Sequence, residues 1–187
     1  MNKIPRLAAL LVLAVATLNA WSMHYSYTFD GNEFSASGQT ISLGTVNWTL
    51  TTDGGYFGGS AAKGCQIGSS KKPARTLKLV SSGITGNINT VKVTTSGANG
   101  INATLSVSAG STTMGAPLAV KSSSTELIFT GNATGEVTLN YQQTSSKALY
   151  ISKIEIQTDG SQTPRPQVIP TVTSISGFLA QPSGSEV

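Results

Sequence analysis

The sequence contains one cysteine and one histidine in 187 residues. Cys65 has no partner for an internal disulfide, so packing and hydrogen bonds must hold the fold, and Cys65 itself is expected to be a small buried apolar residue. His24 is expected close to a frayed chain terminus, which makes it a poor general base for a Ser-His-Asp or Cys-His site. A structural zinc site is excluded because one Cys and one His do not supply enough ligands.

Charged residues are also scarce, at 11% of the chain with only eight acids. Asp30 and Glu33 fall together in a predicted turn, and the other acids alternate with apolar residues on predicted outward faces. This is typical of a solvated surface rather than of the paired carboxylates of a glycosidase cleft. The sequence therefore predicts a protein that is not an enzyme.

Long hydrophobic runs are absent except near the N-terminus. Lys3 and Arg6 precede an apolar run over residues 7–18, and Asn19-Ala20 supplies a small residue for cleavage. Residues 1–20 are therefore predicted to be a secretory signal peptide, the alternative being an uncleaved anchor. The mature chain should have no transmembrane segment and be secreted, periplasmic or at the cell surface. Its net charge would fall from +4 to +2 with the loss of Lys3 and Arg6, so no specific nucleic-acid recognition is expected.

Apolar residues recur with period two from residue 24 to 157, in short runs separated by Gly, Ser and Asn. This pattern predicts an all-β domain over residues 21–157: an antiparallel β-sandwich, preferably a jelly roll whose first and last strands pair. No window in it shows helical spacing. Trp48, Tyr141 and Tyr150 alternate as core residues do and are interpreted as packing.

The composition changes after residue 157. Residues 158–170 include three prolines, which remove backbone donors and favour extended chain, so this segment is predicted to be a linker. Residues 171–187 are too few to bury a core and are interpreted as the incomplete start of a second domain, the alternative being a segment that docks on the sandwich.

Several segments together resemble a family of β-sandwich modules of secreted and surface proteins of Gram-negative anaerobes. They are residues 54–59 (GGYFGG), 66–73 (QIGSSKKP), 86–93 (GNINTVKV) and 145–155 (SSKALYISKIE). The resemblance implies a jelly roll of the galactose-binding or carbohydrate-binding-module type. Modules of this family are sometimes fused to extracellular nucleases, and the function that the resemblance implies is accessory or adhesive rather than catalytic. The tail from residue 171 resembles the start of an OB-like domain.

The most distinctive candidate ligand site lies between residues 53 and 75. Tyr56 and Phe57 stand between glycine pairs, where a loop tip could expose them, and four polar side chains follow: Gln66, Lys71, Lys72 and Arg75. Sugars stack their C–H faces on aromatic rings while polar neighbours bind the hydroxyls. The alternative is that Tyr56 or Phe57 folds back to plug the open end of the sandwich.

A short acidic loop is the candidate metal site. Asp30, Asn32 and Glu33 offer several oxygen ligands that suit a structural calcium ion. The alternative is an Asp-Gly turn that needs no ion, and no other cofactor is expected.

These features favour an exported, monomeric, non-catalytic binding or adhesion module, with polysaccharide or glycan as the partner. Two alternatives stay open. One is a structural spacer, and the other is the N-terminal accessory domain of a longer extracellular enzyme, for instance a nuclease, truncated at its C-terminus.

Overall fold

The computed structural model describes residues 22–159 of the chain. The regular structure of these residues consists of thirteen β-strands and includes no helix. The predicted signal peptide, the tail from residue 171 and most of the predicted linker lie outside these residues. The last strand continues to Asp159, two residues past the expected end of the domain. The strands are β1 Ser22–Thr28, β2 Thr40–Leu43, β3 Val46–Thr52, β4 Phe57–Ser60, β5 Gly64–Ile67, β6 Thr76–Ser82, β7 Asn87–Gly97, β8 Ala103–Ala109, β9 Thr112–Thr113, β10 Leu118–Ala119, β11 Thr125–Ala133, β12 Val137–Gln143 and β13 Leu149–Asp159.

The first sheet is built around β13 and has the order β11-β7-β13-β5-β4. β7 pairs with one edge of β13 over most of its length. The opposite edge of β13 is shared by β5, along residues 149–151, and by β1, along residues 153–159. An irregularity between Ile151 and Lys153 separates the two partners, and there the carbonyl of Ser152 accepts a 2.9 Å hydrogen bond from the Phe29 N–H. The predicted pairing of the first and last strands is confirmed.

The second sheet has the order β10-β8-β12-β6-β3-β2, with β9 added to β8. All strand pairs in both sheets are antiparallel, as predicted. The long strands β6, β7, β8, β11, β12 and β13 lie alternately in the second and the first sheet. This repeated crossing gives a jelly-roll-like sandwich. No helix in residues 22–159 is long and apolar enough to cross a membrane.

The core lies between the sheets and consists of the inward-facing side chains of the alternating runs. Trp48 and Tyr141 are buried there, as the sequence predicted. Cys65 is also fully buried, and desolvation raises the pKa of its thiol to about 12. The thiol is therefore protonated at neutral pH and behaves as an apolar core group, as expected.

Tyr141 carries a buried hydroxyl that has no hydrogen-bond partner among residues 22–159. Such a hydroxyl loses its hydration on folding without a compensating bond. We therefore expect Tyr141→Phe to leave the free energy of unfolding unchanged or to raise it by about 1 kcal/mol, measured by urea denaturation. The control is Tyr25→Phe, because the Tyr25 hydroxyl accepts a 3.2 Å bond from the Thr85 N–H and its loss should destabilise. A drop of more than about 1 kcal/mol in Tyr141→Phe would contradict this account.

Candidate functional site

The outer face of the first sheet carries a row of side chains that crosses four strands. The register places Gly58 of β4 opposite Gln66 of β5, Gln66 opposite Tyr150 of β13, and Tyr150 opposite Ser96 of β7. Directly opposed residues project to the same side of a sheet. The neighbours Leu149 and Ile151 are buried in the core, so Tyr150 and its partners face outward.

Tyr56 extends this row at the edge of the sheet. Its side chain is 41% exposed, and a Cβ on Gly58 would lie 3.2 Å from the tyrosine hydroxyl and 3.4 Å from the nearest ring carbon. The ring therefore lies over the backbone of Gly58, where glycine leaves room for it. The carbonyl of Tyr56 accepts a 2.8 Å bond from the Gly68 N–H, which fastens the Tyr56 loop to the segment after β5.

Tyr150 borders an open depression of about 540 Å³. The Lys63 ammonium lies 5.3 Å from the centroid of the Tyr150 ring, within the range of a cation–π contact. The other polar side chains that line the depression are Asn99, Ser96, Ser122, Ser124 and Ser152. Hydroxyl, amide and ammonium groups thus surround one aromatic ring. We call Tyr56, Gln66 and Tyr150 together the tyrosine platform.

The interpretation of Tyr150 as a core residue was wrong. Leu149, Tyr150 and Ile151 are consecutive, and side chains alternate between the two faces of a strand. Leu149 and Ile151 must therefore lie on one face and Tyr150 on the other. The structure turns Leu149 and Ile151 inward. The period-two rule applied strictly to this triplet would have identified Tyr150 as an outward residue, whereas Lys63 carried no comparable signal.

Phe57 lies on the other side of the strand from the platform. It is paired with Ile67, which is fully buried, and its half-buried side chain packs against the core. Of the two neighbouring aromatic residues, Tyr56 is the exposed one and Phe57 is the one that fills the sandwich. The structure therefore separates the pair that the sequence treated as one site.

The polar residues of the predicted site are divided between two places. Gln66 lies in the platform, where its Nε2 donates a 3.0 Å bond to the carbonyl of Gly68. Lys71 and Lys72 are exposed on the loop after β5, and the Lys72 Cδ lies 3.7 Å from where a Cβ on Gly55 would be, beside the Tyr56 loop. Arg75 instead donates to the carbonyl of Thr144 at 3.2 Å and to the Ser146 hydroxyl at 3.3 Å. It lines a separate depression against the second sheet.

The acidic loop forms a turn closed by its own side chains. The Glu33 carboxylate accepts hydrogen bonds from the N–H groups of Asp30 and Gly31, and Asp30 Oδ1 accepts one from the Asn32 N–H at 3.0 Å. These bonds suit the turn alternative. Among residues 22–159 no group of three or more His, Cys, Asp or Glu side chains is arranged to hold a metal. Calcium at Asp30, Asn32 and Glu33 stays a prediction.

Ion pairs occupy the other half of the outer face, along residues 153–159 of β13. Glu155 lies 2.9 Å from the Lys153 ammonium and 3.4 Å from His24 Nε2. The hydrogen bond from Lys153 lowers the pKa of the Glu155 carboxyl. Lys92 pairs with Glu126 at 3.5 Å. Among residues 22–159, the only carboxylate within 4.0 Å of His24 is that of Glu155, and the His24 side chain is 56% exposed.

Comparison with known proteins gives structural likeness only. No family model matches the sequence, and no curated protein matches it. Among solved structures, a variant of a family 29 carbohydrate-binding module complexed with cellulohexaose has a TM-score of 0.49 at 8% identity, covering 76% of this chain and 95% of that chain. Another family 29 module, from Piromyces equi, has a TM-score of 0.46 at 11% identity, covering 75% and 93%. Likeness at this level does not assign the chain to their family.

Proposed function

We propose that this protein is a non-catalytic carbohydrate-binding module and that the tyrosine platform is its binding face. The observation that carries the proposal is the placement of two accessible tyrosines on one sheet face, with Gln66 between them. Two strand intervals separate Gly58, under the Tyr56 ring, from Tyr150, which amounts to about 10 Å. That spacing is about the length of a disaccharide, so two rings can stack on alternate sugars of an extended chain.

The chemistry around the rings suits a sugar. Aromatic faces take the C–H surface of a pyranose, and polar groups at the margins give orientation. Gln66 uses its Nε2 on the Gly68 carbonyl, which leaves its Oε1 for a sugar hydroxyl. Ser96 and Ser152 supply further hydroxyls beside Tyr150. Lys63 has a long flexible side chain, so its ammonium can move off the Tyr150 ring and remain beside a sugar stacked there.

This proposal changes the set of ligand residues predicted from the sequence. Tyr56 and Gln66 stay in the site, Lys71 and Lys72 lie on the loop beside it, and Tyr150 and Lys63 join it. Phe57 leaves because it packs on the core, and Arg75 leaves because it is bound to the loop after β12.

Glycan binding by the full-length protein tests this proposal. Calorimetric titration with cello-oligosaccharides, manno-oligosaccharides and a panel of soluble polysaccharides should show saturable binding to at least one of them. Chromatography of the same mixtures should recover each glycan unchanged, because no acidic side chain from residues 22–159 lines the depression beside Tyr150. If the protein bound none of the glycans tested, the proposal would be refuted. If fragments of a glycan were released, its non-catalytic part would be refuted.

We also propose that the protein is exported and acts as a monomer. Export rests on the signal-like residues 1–20. The spacer and enzyme-accessory alternatives differ from the carbohydrate-binding proposal in one respect. Neither of them requires the two tyrosines of the platform to be accessible.

A further inference from the structure

The two halves of the outer face of the first sheet differ in how their cations are paired. On the half along residues 153–159 of β13, Lys92 and Lys153 each lie within 3.5 Å of a carboxylate, as does His24. Charges on that half are therefore largely compensated within the protein, and a ligand passing over it meets little net potential.

Cations around the tyrosine platform have no such compensation. Among residues 22–159, neither Lys63 nor Lys72 has a carboxylate oxygen within 4.0 Å. Lys147 is likewise unpaired there, and its Cε lies 3.6 Å from where a Cβ on Gly100 would be, next to the Asn99 rim of the depression. The lining of the depression includes Lys63 and no acidic side chain. The lining of the depression that residues 22–159 form is therefore positively charged.

From this asymmetry we infer that the platform selects an acidic polysaccharide, one whose sugars carry carboxylate groups. The inference rests on the proposed carbohydrate-binding function and specifies its ligand. The Lys63 ammonium lies over the face of the Tyr150 ring, 5.3 Å from its centroid. A uronic acid that stacks on this ring would displace the ammonium to the margin of the ring, where it can pair with the sugar carboxylate. Lys72, beside the Tyr56 loop, would meet the carboxylate of a sugar stacked on the second ring.

A glycan fits these features better than a nucleic acid. Four serines and Asn99 line the depression, which suits hydrogen bonding to sugar hydroxyls. Single-stranded nucleic acid is bound by neutralising successive phosphates, which takes a continuous cationic groove. The cations along residues 153–159 are paired with carboxylates, so a continuous cationic groove does not extend past the platform on that side. Carboxylates spaced along an uronan need only the few unpaired lysines that are present.

The test compares polygalacturonate with its fully methyl-esterified form, which keeps the sugar and removes the charge. The full-length protein should bind polygalacturonate about tenfold more tightly at low ionic strength, and the difference should shrink as salt rises to about 0.3 M. The double variant Lys63→Gln with Lys72→Gln should lose the preference, so that its affinities for the two forms become equal. Lys78→Gln is the matched control, since Lys78 is exposed on β6 of the other sheet.

The possible outcomes separate this inference from the proposed function. Equal binding of both forms, or a preference that survives the double variant, would overturn the acidic ligand and leave carbohydrate binding in place. Binding of neither form nor any other glycan would overturn both. Tighter binding of a single-stranded oligonucleotide than of polygalacturonate would overturn the inference in favour of a nucleic-acid ligand.

Discussion

Gly64→Ala is expected to lower the free energy of unfolding by about 3 kcal/mol or more. Gly64 has a φ of +80°, and a Cβ there would lie 2.1 Å from the carbonyl oxygen of Ile151 and 2.5 Å from the Cα of Ser152. Both neighbours are backbone atoms of the central strand β13, which is held by pairing on both edges. The clash therefore cannot be relieved by a rotamer change and must displace β5 from β13.

The control for this prediction is Gly44→Ala. Gly44 has a φ of +65°, but nothing lies within 4 Å of the position that its Cβ would take. It therefore measures the cost of the left-handed backbone conformation alone, about 1 kcal/mol. Urea denaturation of both variants isolates the steric part at Gly64. A similar loss in the two variants would contradict the tight approach of β5 to β13.

The long strands could be predicted from the sequence because each has one buried face. Val91 and Val93, like Leu105 and Val107, alternate with polar residues and lie inward in the structure. A strand with this pattern cannot slip by one residue without turning its apolar side chains to solvent. The same physics, applied to equally well-formed first and last strands, explains why the pairing of β1 with β13 was predicted correctly.

The short strand β4 could not be predicted in this way. Its sequence, Phe57–Ser60, contains two glycines and reads as a loop. What makes it a strand is close backbone packing: a Cβ on Gly59 would lie 2.2 Å from the carbonyl of Gly64 and 2.7 Å from the Cα of Gly31. Such contacts join the backbones of glycines, which have no side chains. They therefore leave no alternation of apolar and polar residues in the sequence from which the strand could be predicted.

The candidate site depends on β4 and β5, and so only part of it could be predicted. From the sequence, Tyr56 could either be exposed at a loop tip or fold back to plug the sandwich, and in the structure it is exposed. Its alignment with Tyr150 follows from the register of β5 against β13 over three residues, Leu149 to Ile151, which ends at the irregularity near Ser152. Local propensity does not specify where such an irregularity falls. The juxtaposition of Tyr150 and Lys63 is a consequence of the same register.

Tyr150→Ala is expected to weaken glycan binding by about 30-fold, and combining it with Tyr56→Ala should abolish measurable binding. Each ring supplies a large apolar face at low conformational cost, and truncation removes the stacking surface from one end of the platform. Tyr56 is exposed, so Tyr56→Ala should leave the melting temperature nearly unchanged. Tyr150 is half-buried, so its removal should lower the melting temperature modestly without unfolding the domain.

Ile128→Ala is the control for both tyrosine variants, because Ile128 is 48% exposed and its β11 position opposite Lys92 puts it on the same outer face, away from the platform. It should bind as tightly as the unaltered protein in calorimetric titration. If Tyr150→Ala retained full affinity while Ile128→Ala lost it, the ligand would lie along the ion-paired half instead. Stacking on Tyr56 and Tyr150 is the step on which glycan recognition depends, since the lysines and Gln66 act on a sugar that the rings already hold.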